Sequence, residues 1–109
     1  MRAFHRALAV SNIEQAVVVY SARLGASPVV VVPGGHALWQ AQAVNLSIRK
    51  TAECSGAMRH LGWEDTDATE FTVEADCNGI VWKKLAACHQ VQKINMIWPG
   101  ANYQLSIIL

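Results

Sequence analysis

Residues 3–10, AFHRALAV, run into residues 11–25, SNIEQAVVVYSARLG, and the reading of this junction decides the rest. The first stretch alternates with period two, Phe4, Leu8 and Val10 to one side and Ala3, His5, Ala7 and Ala9 to the other, as a strand does. In the second, Ser11 stands three residues before Glu14. That is capping-box spacing, in which hydroxyl and carboxylate each satisfy a backbone N–H orphaned at a helix start. Ile13, Ala16, Val17, Tyr20 and Leu24 then recur at helical spacing, and Gly25 sits where a left-handed residue ends a helix. A strand therefore feeds directly into an amphipathic helix.

Downstream, the β-branched run between Pro28 and Pro33 predicts a buried strand, Gly34-Gly35 a turn, His36 to Ala41 a short strand, and residues 44–50, VNLSIRK, an alternating one. Residues 51–57, TAECSGA, form a polar connector. The pattern then restarts with a strand over residues 58–65. Asp67 and Glu70 predict a second capped helix over 67–78, stopped at Asn78-Gly79, although Thr69, Thr72 and Val73 are poor helix formers. Strands are expected over 80–87, 90–98 and 103–109, with a turn at Pro99-Gly100-Ala101-Asn102.

The halves superimpose in sequence: His5 and His60 lie 55 apart, Ser11 and Thr66 also 55, Gly25 and Gly79 54. The same unit thus recurs, with module one over about 1–50, the connector at 51–57, and module two over about 58–109. At 109 residues, 52% hydrophobic and 16% charged, the chain has material for one core. The expected fold is α+β and one domain over 1–109, with two tandem βαβββ modules making a curved mixed sheet and helices outside.

A net charge of +1 argues against nucleic-acid binding, which needs a basic stripe, and no run approaches the roughly 20 apolar residues of a membrane span. Cys54, Cys77 and Cys88 form no paired-cysteine motif, so reduced thiols and a cytoplasmic location are expected. Six of the eight acids fall within residues 64–76, where they suit the start of a solvated helix. His36 and His89, beside turn or strand-end residues, are expected to be solvated. Phosphate-loop, dinucleotide and hydrolase-triad motifs are missing.

Four stretches together resemble the vicinal oxygen chelate superfamily of glyoxalases, extradiol dioxygenases and bleomycin-resistance proteins: FHRALAVSNIEQAV, VYSARLGASP, MRHLGWED and PGANYQL. The resemblance implies paired modules forming a cup around a metal or ligand. It places His5 and His60 at the first two metal positions, and Gln104 on or next to the position of the usual carboxylate ligand. Such a set would suit Zn, Ni, Mn or Fe with open positions for water. It carries no negative charge, which weakens a divalent site.

Asn45, Ser47 and Arg49 occupy the corresponding fourth-strand positions and become candidate ligand contacts. Glu64, four residues beyond His60 on the same strand face, is the candidate proton carrier. Trp39 and Trp63 are candidate aromatic contacts, since such rings offer large apolar area with a polar handle. Two functions follow from the resemblance. One is a metal-dependent lyase, isomerase or dioxygenase acting on a substrate with adjacent oxygens; the other is a metal-free protein that sequesters a small molecule, as drug-resistance proteins do. A homodimer is expected in either case, as for short members of that superfamily.

Overall fold

The computed structural model describes residues 2–104. It is an α+β fold in which all seven strands among the described residues belong to one mixed sheet. In chain order the elements are β1 (Arg2–Val10), α1 (Ile13–Leu24), β2 (Val30–Val32), β3 (His36–Ala41), β4 (Val44–Lys50), β5 (Met58–Asp65), β6 (Thr72–Ala75), β7 (Val81–Leu85) and α2 (Ala87–Ile97), with a 3-10 turn at Pro99–Ala101. Among the described residues the seven strands lie in the order β2-β3-β4-β1-β5-β7-β6.

The first half follows the sequence reading in element order, but the strand expected to be buried between Pro28 and Pro33 is the short edge strand β2, with Val29 and Val31 exposed because only β3 pairs with it. β1 pairs parallel with β4, which the helical crossover requires, while β3 pairs antiparallel with β4 and β2 with β3. The cap of α1 differs by one residue: Asn12, not Ser11, is the N-cap, its Oδ1 accepting from the Gln15 N–H at 2.9 Å. Glu14 does not close a capping box. Its Oε1 accepts from the Gly34 N–H at 3.0 Å and ties the helix start to the β2–β3 turn. Gly25 ends the helix at φ 64°, as expected of a left-handed stop. The helix lays Ile13, Ala16, Val17, Tyr20 and Leu24 over Val10, Ala37, Trp39 and Ile48, and this is the larger core.

The second half departs from the expected order. Residues 67–78 are not a helix: the Asp65 carboxylate accepts from the Asp67 N–H at 2.9 Å in a local turn, and the β-branched Thr72 and Val73 take the strand β6. The acids of 64–76 therefore do not mark a helix start. Gly79, at φ 76°, turns the β6–β7 hairpin instead of stopping a helix, while Asp76 Oδ1 accepts from the Asn78 and Ile80 N–H groups. The strand expected over 90–98 is α2, because Val91, Ile94 and Trp98 recur at helical spacing and pack on Leu38 and Tyr103. Of the strand expected over 103–109, Tyr103 and Gln104 are irregular and the remainder lies outside the described residues.

Strand pairing nevertheless repeats. β5 pairs parallel with β7 and β7 antiparallel with β6, echoing β1, β4 and β3. β1 and β5 pair antiparallel with Arg6 opposite Leu61, 55 residues apart, so the two strands are related about that pair by the same offset that separates His5 from His60. What the second half lacks is a helix between its first two strands. Among the described residues the face covered by α1 in the first half consequently has no helix over it in the second, where Phe4 and Trp63 are 39% and 37% exposed with ring centroids 5.4 Å apart and the Arg2 guanidinium lies over Trp63.

Replacing Asn12 by alanine is expected to lower stability by about 1 kcal/mol, the usual cost of losing an N-cap. Ser11→Ala should leave it within measurement error. Urea unfolding of both variants checks the assignment, and equal losses would contradict it.

Candidate functional site

The sheet face away from α1 carries the polar residues. Three cross-strand rows can be followed on it. Gln40, Asn45, His5, Gly62 and Lys83 are successive neighbours across β3, β4, β1, β5 and β7. Leu38, Ser47, Ala7 and His60 make the next row, and His36, Arg49 and Ala9 the third. The central positions are small, and Gly62 in particular has no room for a side chain, since a Cβ there would run into the Lys83 carbonyl. α2 lies over this face, and a cavity of about 90 Å³ remains between them.

At the base of the cavity the polar contacts form one connected set. Asn45, fully buried, donates through Nδ2 to Glu64 Oε1 at 2.9 Å and Gln90 Oε1 at 2.8 Å. Its amide protons are thus committed, and Oδ1 accepts from Gln90 Nε2 at 3.3 Å and from His5 Nδ1 at 2.9 Å. His5 consequently carries its proton on Nδ1 and presents a lone pair at Nε2. His60 Nε2 lies 2.8 Å from that atom and donates to it. Burial holds His5 below the usual histidine range, and it drives His60 down to about 3, helped by the positive charge of Lys83. Both imidazoles are neutral near pH 7.

Cations surround this pair. Arg49, Arg59, Lys83 and Lys93 line the cavity, and among the described residues no acid does. Arg59 reaches it through an irregularity in the β1–β5 ladder: Ala7 faces His60 and Leu8 faces Met58, which leaves Arg59 as the extra residue and turns it inward. Its outer partner is Glu53 at 3.4 Å. Lys83 is pushed down to about 8 by burial and by Lys93 beside it. The two ammonium groups share the Phe71 ring, at 5.7 and 5.3 Å from its centroid.

On the opposite wall, Trp98 stacks against His36, ring centroids 4.8 Å apart, and under the Arg49 guanidinium at 5.1 Å. His36 is not solvated as expected but only 5% exposed, and its Nδ1 has no hydrogen-bond partner among the described residues. Burial, with Arg49 and Arg59 nearby, lowers it to about 4. His89, also expected in solvent, lines the cavity, and its Nδ1 accepts from the Ala86 N–H at the start of α2, 2.9 Å away.

Of the residues singled out in the sequence, His5, His60, Ser47 and Arg49 line the cavity, with Asn45 bonded to His5 beneath them. Glu64 does not line it. Its carboxylate also accepts from Gln40 Nε2 at 2.7 Å and serves to anchor two amides. Trp39 is buried on the α1 face with Nε1 donating to Ser21 Oγ at 3.2 Å, and Trp63 lies on the bare outer face, so neither reaches the cavity. Gln104 is exposed and is not among the residues that line the cavity. Sequence reasoning missed Arg59, Lys83, Lys93, His36 and Trp98. Alternation along β7 would have put Lys83 on the histidine face, but Arg59 needed the bulge and Lys93 and Trp98 needed α2.

The donor set does not suit a divalent cation. Two neutral imidazoles are in direct contact with each other, the nearest carboxylate is engaged by two amides, and the positive potential that lowers His60 and Lys83 would repel a metal ion as well. Among the described residues no three His, Cys, Asp or Glu side chains stand close enough to hold one. A second hollow of about 170 Å³ beside the start of α1 is lined by no charged side chain and no histidine. No helix among the described residues is long and apolar enough to cross a membrane. The sequence matches no protein-family model and no curated protein.

Because His36 and His60 are held near 4 and 3, they stay neutral in the folded chain at pH values where the unfolded chain, with histidines near 6.5, takes up protons. Stability contributed this way is complete above pH 6.5 and is lost as the pH falls toward the folded values. For His36 alone the loss is on the order of 3 kcal/mol. Urea midpoints at about pH 7 and about pH 4.5 test this. The midpoint should drop steeply in the parent chain and less in His36→Phe, and parallel profiles would contradict the assignment.

Proposed function

We propose that this chain is a metal-free small-molecule-binding protein of the vicinal oxygen chelate type, which holds its ligand in the cup between the histidine face of the sheet and α2. The observation that carries the reading is the cavity itself. It draws residues from β1, β4, β5, β7 and α2 around the His5–His60 contact, the place where the resemblance puts the ligand. The repeated strand pairing about Arg6 and Leu61 supports the paired-module relationship. Polar groups converging in a largely apolar hollow are the usual form of a ligand site. The metal-dependent enzyme is the weaker reading, because the cations around His60 oppose a divalent ion and Glu64 is turned away as an amide anchor.

Trp98 on the cavity wall supplies the readout. A ligand entering the cup should quench tryptophan emission in the parent chain and much less in Trp98→Phe. Adding Zn, Ni, Mn or Fe should leave the melting temperature unchanged. Stoichiometric metal that disappears in the His5→Ala, His60→Ala double variant would overturn the metal-free reading.

The proposal includes a homodimer. The outer face of the second half, with Phe4 and Trp63 exposed and, among the described residues, no helix over it, is the surface a second copy would cover. Light scattering at micromolar concentration should give twice the chain mass, and Trp63→Glu should return the chain to monomer. A parent chain that elutes as a monomer refutes this part.

A further inference from the structure

We propose that the cavity recognises a compact dianion, a phosphate monoester, with its phosphate set among Arg49, Lys83, Lys93 and His36 and its organic group toward Phe71 and Ile97. The inference rests on the cup being a ligand site and names the chemistry that fills it.

Three independent observations support the assignment. The first is unbalanced charge. Four cations line the cavity without an acid, and among the described residues only Arg59 has an ion-pair partner, Glu53 at the outer edge. Arg49, Lys83 and Lys93 have none among these residues. Like charges gathered at a partly buried place destabilise the free chain, and a dianion set among them would relieve that repulsion. Over the whole chain 9 lysines and arginines nearly balance 8 acids, yet four of those 9 gather at the cavity, so the positive excess there is local.

The second observation is the orphaned Nδ1 of His36, buried on the cavity wall. A polar nitrogen enclosed without a partner costs free energy, and such groups in folded chains normally meet an acceptor or donor from a ligand or water. His36 lines the cavity, and a neutral imidazole there has one N–H to offer an oxyanion. Stacking against Trp98 fixes the ring plane. Arg49, on the same tryptophan, has its fork held in place for two-point contact with phosphate oxygens.

The third is size. About 90 Å³ is well below the several hundred Å³ of sites for drug-sized ligands, so the enclosed part accepts a head group, not a whole large molecule. At the mouth Phe71 and Ile97 are exposed and apolar, which suits an organic substituent leaving the cavity. Two lysines and an unpaired arginine exceed what a monocarboxylate needs for neutralisation, and this selects a dianion.

The experiment is calorimetric titration of the full chain, at constant ionic strength, with inorganic phosphate, phenyl phosphate, benzoate and benzyl alcohol. Phenyl phosphate should bind most tightly, about tenfold tighter than benzoate, the worth of an additional charged hydrogen bond. Inorganic phosphate should compete with it. Lys83→Met should raise the melting temperature of the free chain by removing a like-charge neighbour, yet weaken phenyl phosphate by about tenfold. A merely structural lysine would not separate those readouts. Lys84→Met, on the other face of the same strand, should bind as the parent does.

Benzoate equal to phenyl phosphate would overturn the dianion assignment. Benzyl alcohol or cationic aromatics that bind and quench Trp98, with no binding of either anion, would overturn the anion site while leaving the binding function standing. Silence from every compound, with no quenching across a broad ligand panel, would remove both.

Discussion

A buried amide has to find partners for two N–H groups and a carbonyl, and Asn45 finds them on three other elements. Its donors go to Glu64 on β5 and Gln90 on α2, and its acceptor takes His5 on β1 as well as the Gln90 amide. Leaving any of these unmade in a fully buried position costs about 1–3 kcal/mol, so the network has strong reason to close as a whole. Closing it sets the placement of α2 over the sheet, the tautomer of His5, and through His5 the orientation of His60. Every later feature of the cavity depends on that arrangement.

Two structural economies then open the space. The middle of the face is built from Ala7, Ala9, Ser47 and Gly62, and the larger side chains stand around them. Small residues in the central strands also let β5 and β7 approach closely, as the Gly62 contact with the Lys83 carbonyl demonstrates. Cations collect there because four elements contribute independently: β4 supplies Arg49, β7 Lys83, α2 Lys93 and the bulge in β5 Arg59. Each is unremarkable in its own segment. Their convergence makes the chemistry of the cavity.

The sequence was most legible where one signal had one meaning. AFHRALAV followed by a capped, periodic segment and Gly25 yields β1 and α1 with boundaries nearly correct, the cap moving only from Ser11 to Asn12. It was least legible where a signal serves two structures. Asp followed by Glu near a polar turn can cap a helix, and here Asp65 caps a loop; Asn78-Gly79 can stop a helix, and here it turns a hairpin. Thr72 and Val73 decided between them in favour of a strand. The run around Ile94 alternates well enough to resemble a strand, and only its contacts with Leu38 and Tyr103 make it helical.

By itself the sequence determined the first half, the strand at 58–65 and the equivalent positions of His5 and His60 in the two halves, since these follow from local periodicity and a repeated offset; that the two histidines meet was implied only by the family resemblance. Tertiary structure alone decided the rest of the site. Whether Glu64 is free or bonded, whether His36 meets water or a closed wall, and whether Arg59 points in or out depend on partners that are distant in the chain. A side chain's hydrogen bonds, desolvation and neighbouring charge come from those partners, so its chemistry becomes definite only when the sheet and α2 have come together.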